Sequence, residues 1–507
     1  MSEPATAGLT GSPHDRALLE NVHPADWVPP EPAERYHLVV VGGGTAGLVS
    51  AAGAAGLGAR VALVERGLLG GDCLNVGCVP SKGLIRASRA WAEARAAAAR
   101  FGGPQASGTG DFGAAIERMR RLRADISHLD SAARFRDLGV DVFLGEGRFV
   151  ASDALEVDGR RLRFRRAIVA TGARAAAPPI PGLEGVDYLT NETLFGLTEL
   201  PARLAVIGAG PIGCEMAQTF ARFGSEVHLI EAMDRILPVE EEDAAGIVRR
   251  ALEADGVRIL CCGKDTRVSR GEEGTKRITL EAEGTAYDLS VDAILVSVGR
   301  KPNVEGLGLE AAGVAFDAKG VTVDDRLRTS NSRILAVGDI ASRYKFTHVA
   351  DALARLAIQN SLFFGRKRAS DLVVPWCTYT SPEIAHVGLY PREADERGIA
   401  IDTYQVDLSA VDRAILDGET DGFLRVHVKK GSDRILGATA VAAHAGDLIG
   451  EVTLAMTRKI GLGSVASSIH PYPTQAEVFK KVGDAYQRGK LTPTVEKIFA
   501  FFFRIFR

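Results

Sequence analysis

The 507-residue sequence contains no long hydrophobic run. No apolar stretch approaches the roughly 18 residues that a membrane-spanning helix needs. The first thirty residues also lack the basic start and the apolar block of a secretory signal peptide. Both absences predict a protein that stays in the cytoplasm.

Cysteine is scarce, and neither sign of charge dominates. Six cysteines are too few for a disulfide framework, so in a reducing compartment a close cysteine pair points to catalysis or metal binding. Lys and Arg total 61 against 64 for Asp and Glu, which gives a net charge of −3. This balance argues against nucleic acid as a partner, because its phosphates attract proteins with a strong positive field.

Glycine, in contrast, is abundant: its 56 residues make up ~11% of the chain against a usual ~7%. The excess indicates tight turns or loops that hold phosphate groups. At roughly 100–200 residues per domain, the length corresponds to about three or four domains.

A strand, a glycine turn, a helix and a second strand are predicted near the start of the chain. The apolar run 36–41 (YHLVVV) is typical of a buried strand, and Gly42, Gly44 and Gly47 follow it at once. Glu65 ends the next predicted strand. Such glycines let the backbone approach a pyrophosphate at a helix N-terminus, and the carboxylate accepts hydrogen bonds from an adenosine ribose.

The same arrangement occurs a second time. Gly208, Gly210 and Gly213 follow a predicted strand, and Glu231 ends the strand after the helix. A carboxylate at this position favours the free 2′-hydroxyl of NADH and repels the 2′-phosphate of NADPH, whereas the nearby Arg235 would favour NADPH. The pattern therefore predicts two nucleotide-binding domains, with NADH as the preferred coenzyme of the second.

Cys73 and Cys78 lie in the segment GGDCLNVGCVPSK, residues 70–82, in which Pro80 and Ser81 indicate the start of a helix. A thiolate at a helix N-terminus has a lowered pKa and stays nucleophilic near neutral pH. The spacing alone leaves three possibilities open: a redox pair, a buried structural pair, or two unrelated thiols.

Together these motifs resemble those of the class I flavin disulfide reductases, the family of dihydrolipoamide dehydrogenase, glutathione reductase and mercuric reductase. The resemblance runs from about residue 36 to about residue 487. It also includes Thr171 and Gly172 in an ATG segment, Gly299 in a GRKPN segment, and Asp339.

The resemblance implies FAD at the first glycine motif, with Asp339 holding the ribityl chain and NAD(P)H entering over the opposite flavin face. Cys78 would be the thiol beside the flavin, and Cys73 the thiol that faces the substrate. Lys82 and Glu215 would form an ion pair near flavin N5, where a cation stabilises negative charge on the reduced flavin.

The segment HPYPTQAE, residues 470–477, departs from the pattern of the dithiol-handling members, His-Pro-Thr-x-x-Glu. Glu477 is in register, but Tyr472 occupies the position of the histidine. A phenol with a pKa of ~10 is a poor base at pH 7, whereas an imidazole near ~6.5 is a good one. His470 is then either a substitute base or, as we favour, a supporting residue.

A tyrosine at this position resembles mercuric reductase, in which a soft metal passes between thiolates. Two features of that enzyme are missing from the sequence. No Cys-x-x-Cys segment precedes Tyr36, and residues 501–507 contain no cysteine pair. Cys261 and Cys262 lie in the second nucleotide-binding pattern, where we expect them to be strand residues.

The predicted fold class is α/β, with two doubly wound, Rossmann-like nucleotide-binding domains and an α+β C-terminal dimerisation domain. Regular structure is expected to begin near residue 36, after an extended Pro-rich lead-in. The predicted limits are 1–34 for an N-terminal extension, 35–180 for the FAD domain, 181–298 for the NAD(P) domain, 299–370 for a central segment that completes the FAD domain, 371–489 for the dimerisation domain and 490–507 for a Phe-rich tail.

The predicted function is transfer of electrons from NADH through FAD and a Cys73–Cys78 disulfide to Hg(II) or a related soft metal, which would visit the thiolates as substrate, with no structural metal site. A homodimer is implied, with Tyr472 and Glu477 acting in trans. The alternatives are a dihydrolipoamide dehydrogenase with an altered base and a flavin-binding redox sensor. Glutathione reductase is disfavoured because Pro211 replaces its tyrosine over the nicotinamide site.

The tail has two interpretations. Its phenylalanines, with Lys497 and Arg504 between them, indicate either an amphipathic helix at a membrane surface or a segment that packs on the dimer. Packing on the dimer is favoured.

Overall fold

The computed structural model describes residues 8–106, 108 and 110–506. The first part of the chain builds a sheet covered by helices. Its elements are α1 (Pro13–Val22), β1 (Tyr36–Val41), α2 (Thr45–Gly56), β2 (Val61–Glu65), α3 (Gly71–Asn75), α4 (Cys78–Phe101), α5 (Phe112–Ser127), α6 (Ala132–Asp137), β3 (Val140–Leu144), β4 (Gly147–Ala151), β5 (Ala154–Val157), β6 (Arg160–Val169) and β7 (Ala173–Ala175).

The strand β1 lies at the centre of this first sheet. β2 and β6 flank it in parallel, and β3 lies outside β2. The side chains of β1 from Leu38 to Val41 are buried on both faces, which is why the strand is a continuous apolar run rather than an alternating one. The hairpin of β4 and β5 extends the first half of β6 in antiparallel fashion.

The second part of the chain repeats the parallel design. Its elements are α7 (Asn191–Leu194), β8 (Arg203–Ile207), α8 (Pro211–Phe223), β9 (Glu226–Ile230), α9 (Glu242–Ala254), β10 (Val257–Leu260), β11 (Lys264–Arg270), β12 (Lys276–Ala282), β13 (Thr285–Val291), β14 (Ala293–Val296) and β15 (Arg300–Pro302). The parallel order is β10-β9-β8-β14, and β11 to β13 form a separate antiparallel sheet between β10 and β14 in the chain.

The next segment returns to the first sheet. It contains β16 (Phe316–Asp317), β17 (Gly320–Val321), β18 (Ile334–Ala336) and α10 (Thr347–Leu362). β18 pairs in parallel with the end of β6, and α10 packs on α2. This return places Asp339, three residues after β18, beside the glycine loop between β1 and α2.

The last part is a mixed antiparallel sheet and helix layer. Its elements are β19 (Pro375–Thr378), β20 (Glu383–Gly388), α11 (Pro391–Glu396), β21 (Ile401–Asp407), α12 (Asp412–Asp417), β22 (Phe423–Lys429), β23 (Ile435–Ala442), α13 (Ala445–Arg458), α14 (Leu462–Val465), α15 (Glu477–Gly489) and α16 (Pro493–Ile505). The sheet order is β19-β20-β23-β22-β21. The predicted fold class is confirmed, and the domain limits stay a prediction.

Two expectations about local structure are wrong. The N-terminal extension is not only an extended lead-in, because α1 forms before the Pro-rich stretch and buries Leu18 and Val22. Cys261 and Cys262 are not strand residues. β10 ends at Leu260, directly before them, and Cys262 has a φ of +56°, outside the range of a regular strand.

The tail forms the exposed helix α16. Within the described part of the chain, no helix combines the length and the apolar character needed to cross a membrane.

Candidate redox-active site

The two glycine loops adopt the same backbone. Gly42 and Gly208 have φ values of +105° and +101°, a region that suits glycine. A Cβ atom on Gly47 would lie 1.7 Å from the carbonyl oxygen of Gly42, and one on Gly213 would lie 1.9 Å from that of Gly208. The first and third glycines of each motif are therefore required by the protein's own packing.

The middle glycines have a different reason. A Cβ on Gly44 would meet only the Cα of Gly71, at 3.7 Å, and a Cβ on Gly210 would meet nothing within 4 Å. Packing does not require glycine at either position, so the free space lies in front of the N-termini of α2 and α8. A pyrophosphate needs this kind of opening, because it binds to the free N–H groups of a helix start.

A carboxylate closes each loop in the same way. Glu65 accepts hydrogen bonds from the N–H of Gly43 at 2.5 Å and of Gly67 at 2.6 Å. Glu231 accepts from the N–H groups of Ala209 and Met233 at 2.7 and 2.9 Å. Both carboxylates are thus fixed at the edge of their loop, where the ribose contact is predicted.

A cavity of about 780 Å³ opens in front of the first loop. Its volume is in the range of small-molecule sites in proteins. It gathers most residues expected to hold FAD, and the two cysteines with them. The predicted residues that line it are Gly42, Gly44, Glu65, Cys73, Cys78, Lys82, Thr171, Gly172, Glu215 and Asp339.

The guanidinium of Arg300 organises one side of this cavity. It forms ion pairs with Asp72 and, at 3.4 Å, with Asp339, and it donates to the carbonyl of Ala173 at 2.7 Å. Burial raises the pKa of Asp339, and the charge of Arg300 opposes that rise. Gly299 does not line the cavity. Its φ of +68° turns the chain into β15, which carries Arg300.

The two cysteines differ in their protonation. Cys78 is the first residue of α4, and its sulfur lies 3.4 Å from the hydroxyl oxygen of Thr347. A hydrogen bond from the Cys73 thiol, the Thr347 hydroxyl and the charge of Lys82 lower the pKa of Cys78 to about 6, against the effect of burial. The pKa of Cys73 is raised because its proton bonds to Cys78. Cys78 is therefore a thiolate at pH 7.

Lys82 and Glu215 form an ion pair of 2.9 Å between α4 and α8. The Glu215 side chain is only 4% exposed, and its second oxygen accepts from the N–H of Tyr379 at 2.9 Å. The Lys82 ammonium also lies 4.5 Å from the centre of the Tyr379 ring. Both nucleotide-binding parts and the C-terminal part thus meet at this ion pair beside the cysteines.

Three residues of this cavity were not among those predicted from the sequence. Thr347 starts α10, and Cys377 and Tyr379 belong to β19 and the turn after it. The only available clue was that Cys377 is a further cysteine in a cysteine-poor chain. Burial raises the pKa of its thiol well above the ordinary value, so Cys377 stays protonated near the thiolate.

The C-terminal candidates lie apart from this cavity within one chain. Tyr472 is 70% exposed, and its hydroxyl donates to Asp412 at 2.8 Å, a bond that raises the pKa of the phenol. His470 pairs with Glu451 at 3.0 Å. Glu477 pairs with Lys481 of α15 at 3.3 Å, and its negative charge contributes to the raised pKa of Tyr472.

The second loop faces a separate depression of about 400 Å³. Gly208 and Glu231 line it, together with Asp265 and Arg267 from the antiparallel sheet. Arg235 approaches the carbonyl of Pro238 instead, at 3.4 Å, and lies outside the depression. Arg267 therefore lines the depression together with Glu231, and the sequence pattern did not single it out.

Two dinucleotide loops, a cysteine pair in the cavity of the first, and a C-terminal α+β domain define a flavin-dependent disulfide reductase. The chain matches the family Pyridine nucleotide-disulphide oxidoreductase over residues 36–354 and the dimerisation domain of that family over residues 374–482. It belongs to this family, whose members use FAD and a pyridine nucleotide.

Named relatives cover most of the chain. It is 36% identical over 447 residues to the mercuric reductase of Bacillus cereus, which covers 88% of this chain and 70% of that protein. It is 34% identical over 457 residues to the dihydrolipoyl dehydrogenase of Chlamydia muridarum, and this match covers 88% of this chain and 96% of that protein.

Among solved structures, the HOCl-induced flavoprotein disulfide reductase RclA of Escherichia coli is similar. Its TM-score is 0.78 at 29% identity, and the match covers 89% of this chain and 99% of that one. RclA has also been solved as a Cu(II) complex, with a TM-score of 0.78.

Proposed function

We propose that the protein is an NADH-dependent flavoenzyme that reduces a soft metal ion, with Hg(II) as the favoured substrate, through a Cys73–Cys78 redox pair. The observation that carries the proposal is the position of Cys73 and Cys78, which line the same cavity as the first glycine loop and Asp339. When bound there, FAD supplies the step between a two-electron hydride donor and a disulfide.

The chain's own residues have separate roles in binding the cofactor and in the chemistry. Gly44 and the start of α2 bind the pyrophosphate, and Asp339 orients the ribityl chain. Lys82, held by Glu215, provides positive charge where negative charge develops. Reduction of the disulfide leaves Cys78 as the thiolate and Cys73 as the thiol that meets the substrate.

The choice of acceptor depends on a base, because a dithiol substrate requires a group that takes up its thiol proton. The Tyr472 phenol is a weak base, and its bond to Asp412 raises its pKa further. His470 donates from Nε2 to the Glu451 carboxylate at 3.0 Å and does not line the cysteine cavity of its own chain. A soft metal needs thiolates rather than a base, and the overall reaction balances as NADH and Hg(II) giving NAD⁺, metallic mercury and one proton.

Two findings from relatives support this acceptor class. The mercuric reductase of Bacillus cereus is 36% identical, and RclA has been solved with Cu(II). The dihydrolipoyl dehydrogenase of Chlamydia muridarum is nearly as similar, which keeps dithiol oxidation as the second candidate.

The dimerisation domain supports a homodimer. We propose that Tyr472 and Glu477 act at the cysteines of the partner subunit, since neither lines the cavity of its own chain. A redox sensor of the same fold remains the candidate from another class, and it would undergo one stoichiometric reduction without turnover.

The first test is NADH oxidation by the FAD-loaded protein with Hg(II), Cu(II), lipoamide, glutathione disulfide or a quinone as acceptor. We expect steady turnover with Hg(II) and little with lipoamide at pH 7. Cys73→Ser is the matched control, because it keeps the flavin site but removes the substrate thiol. A single burst without turnover on every acceptor would support the sensor.

The second test is Tyr472→His. An imidazole at this position should raise dihydrolipoamide oxidation by about 10²-fold, because a general base is worth roughly 10²–10⁴-fold. Hg(II) reduction should not improve. Efficient lipoamide turnover by the wild-type protein that disappears in His470→Ala would overturn the proposal in favour of the dehydrogenase.

We also propose that α16 contacts an anionic lipid surface, which departs from the packing on the dimer that the sequence favoured. Five phenylalanines of the tail, Phe499, Phe501, Phe502, Phe503 and Phe506, are 48–72% exposed. Lys497 and Arg504 are seven residues apart and share one helix face, opposite Phe502 and Phe506. An apolar face opposite a cationic face is typical of helices that lie in a membrane surface.

Vesicle sedimentation of the full-length protein tests this contact. We expect binding to phosphatidylserine vesicles, weaker binding to phosphatidylcholine, and loss of both in Phe502→Asp. Lys497→Glu should reduce the preference for the anionic lipid, since each basic residue is worth ~1 kcal/mol near such a surface. A change of oligomeric state in Phe502→Asp, without any vesicle binding by the wild type, would assign α16 to a second copy of the chain.

A further inference from the structure

The N-terminal segment 8–23 precedes the family match, which begins at residue 36, yet it is built into the first domain. Leu18 and Val22 of α1 are fully buried. They belong to the same core cluster as the leucines of the redox loop, by which we mean residues 69–78. Apolar contact therefore fixes α1 beside the segment that carries Cys73.

A buried ion pair strengthens this contact. Asp15 of α1 lies 2.7 Å from Arg123 of α5, and their side chains are 1% and 2% exposed. Thr10 donates to the other Asp15 oxygen through its N–H at 2.9 Å and its hydroxyl at 3.0 Å. Burial opposes the charge of Asp15, but Thr10 and Arg123 hold its pKa below the ordinary value.

The same guanidinium also holds the redox loop. A second nitrogen of Arg123 donates to the carbonyl of Asn75 at 2.8 Å. The Asn75 amide in turn donates to the carbonyls of Leu69 and Gly71, at 3.0 and 2.9 Å. Asn75 lies two residues after Cys73, so this network fixes the backbone on both sides of the thiol.

The backbone of α1 makes a further connection to the loop. The N–H of Leu69 donates to the carbonyl of Val22 at 3.2 Å. His23, which ends α1, bonds through Nδ1 to the carbonyl of Gly67 at 2.6 Å. Leu9 and Arg123 also line the 780 Å³ cavity, so the segment reaches the cofactor site itself.

We infer that segment 8–23 is a positioning element of the redox centre, in which Arg123, held by Asp15, fixes the loop that presents Cys73 to Cys78. The inference rests on the proposed role of the two cysteines as a redox pair. Arg123 acts through Asn75 and the loop backbone, and it is a positioning residue rather than a catalytic one.

Two consequences follow from holding the loop in place. A fixed Cys73 has a high effective concentration toward Cys78, which favours the disulfide over two separate thiols. The hydrogen bond from Cys73 is also the largest cause of the lowered pKa of Cys78. Loosening the loop should therefore weaken the disulfide and raise the pKa of Cys78 together.

The experiment compares the full-length, FAD-loaded protein with Asp15→Asn, Arg123→Met and Arg123→Lys. Each protein is equilibrated in glutathione buffers, where two glutathione molecules supply the two electrons and two protons that open the disulfide and become glutathione disulfide. Thiols are trapped and counted by mass spectrometry. The pH dependence of Cys78 alkylation by iodoacetamide is measured on the reduced proteins.

For Asp15→Asn and Arg123→Met we expect the equilibrium constant for disulfide formation to fall about tenfold, which is about 30 mV for a two-electron couple. The alkylation midpoint of Cys78 should move to higher pH. Arg123→Lys keeps a charge for Asp15 but has no second nitrogen for Asn75. It should keep most of the thermal stability and still show the weaker disulfide.

Asp292→Asn is the matched control, because it removes an ion pair of 2.6 Å with Arg203 in the second domain, away from the redox loop. It should lower the melting temperature without changing either redox measurement. If Arg123→Lys and Asp15→Asn keep equilibrium constants within twofold of the wild type, the segment is structural only and the inference fails. Absence of any Cys73–Cys78 disulfide in the wild type would instead refute the proposed function.

Discussion

The two glycine loops share a backbone but not an environment. Each has a first glycine at positive φ, a third glycine pressed against a carbonyl, and a carboxylate that closes the loop. The first faces a cavity of about 780 Å³ that contains two cysteines, Asp339 and an ion pair. The second faces a depression of about 400 Å³ with Asp265 and Arg267 near its carboxylate.

This difference shows that the motif and its surroundings have separate tasks. The motif supplies the N–H groups and the space that an adenosine diphosphate moiety needs. The surroundings decide how the ligand is held and what it does. A larger cavity lined by three parts of the chain suits a cofactor that stays, and a smaller depression suits a coenzyme that exchanges.

The largest effect is expected from substitution of the third glycine of each loop. Gly47→Ala places a methyl group 1.7 Å from a carbonyl oxygen, and overpacking of this kind costs about 1–3 kcal/mol or more. We expect the purified variant to lack FAD and all activity. Gly213→Ala should keep FAD, visible as the yellow colour, and lose reduction by NADH. Equal FAD contents in the two variants would contradict the assignment of the loops.

Removal of the thiolate tests the chemistry of the first cavity. Cys78→Ser should lower acceptor reduction by roughly 10³-fold or more, because no disulfide can form. FAD should stay bound, and the long-wavelength thiolate-to-flavin absorbance of the NADH-reduced protein should vanish. Survival of that band would remove Cys78 from its role. Cys377→Ser is the control, since its protonated thiol should not contribute to the band.

The carboxylate of the second loop is expected to set the choice between NADH and NADPH. We expect kcat/KM for NADH to exceed that for NADPH at least tenfold, or about 1.4 kcal/mol. Glu231→Gln should narrow the ratio, because the repulsion of a 2′-phosphate is lost. Glu65→Gln is the matched variant in the first loop and should leave the ratio unchanged. Preference for NADPH that disappears in Arg267→Ala would overturn the assignment.

The smallest expected effect is a shift in a pH profile. The pKa of Cys78 is lowered to about 6, so the thiolate is present at pH 7 and above and is lost as the pH falls through 6. The long-wavelength absorbance of the reduced protein should follow this midpoint. Thr347→Val removes one hydrogen bond to the sulfur and should move the midpoint upward. A profile flat between pH 5 and 8 would contradict the thiolate assignment.

Much of the fold could be predicted because its signals are local. The buried strand at 36–41 and the glycine motifs follow from short runs whose periodicity fixes backbone geometry. Helix α1 begins with a capping Ser12 and a proline in its first turn, a local signal that the sequence analysis did not use. Because it is short, its contacts with α5 and the redox loop also stabilise it. The Cys261–Cys262 pair was misassigned because the strand ends at Leu260, two residues before the end of its apolar run.

The candidate site likewise combines residues that local sequence indicates with residues that only the packing of distant elements brings together. The spacing of Cys73 and Cys78 and the helix start at the second cysteine are encoded within ten residues, so the sequence could indicate a nucleophilic pair. Thr347 and Tyr379 could not be found in that way. Thr347 reaches Cys78 because α10 packs on α2, and Tyr379 lines the cavity because the turn after β19 contacts Glu215 of α8.

The sequence by itself determined the two dinucleotide loops, their carboxylates and the thiol pair, because each is a property of neighbouring residues and backbone conformation. The tertiary structure alone decided which groups surround them. Lys82 meets Glu215 across 133 residues of chain, and Arg123 meets Asp15 across 108. Such contacts depend on how helices and sheets dock, and docking is set by the sum of many apolar contacts that no short pattern records.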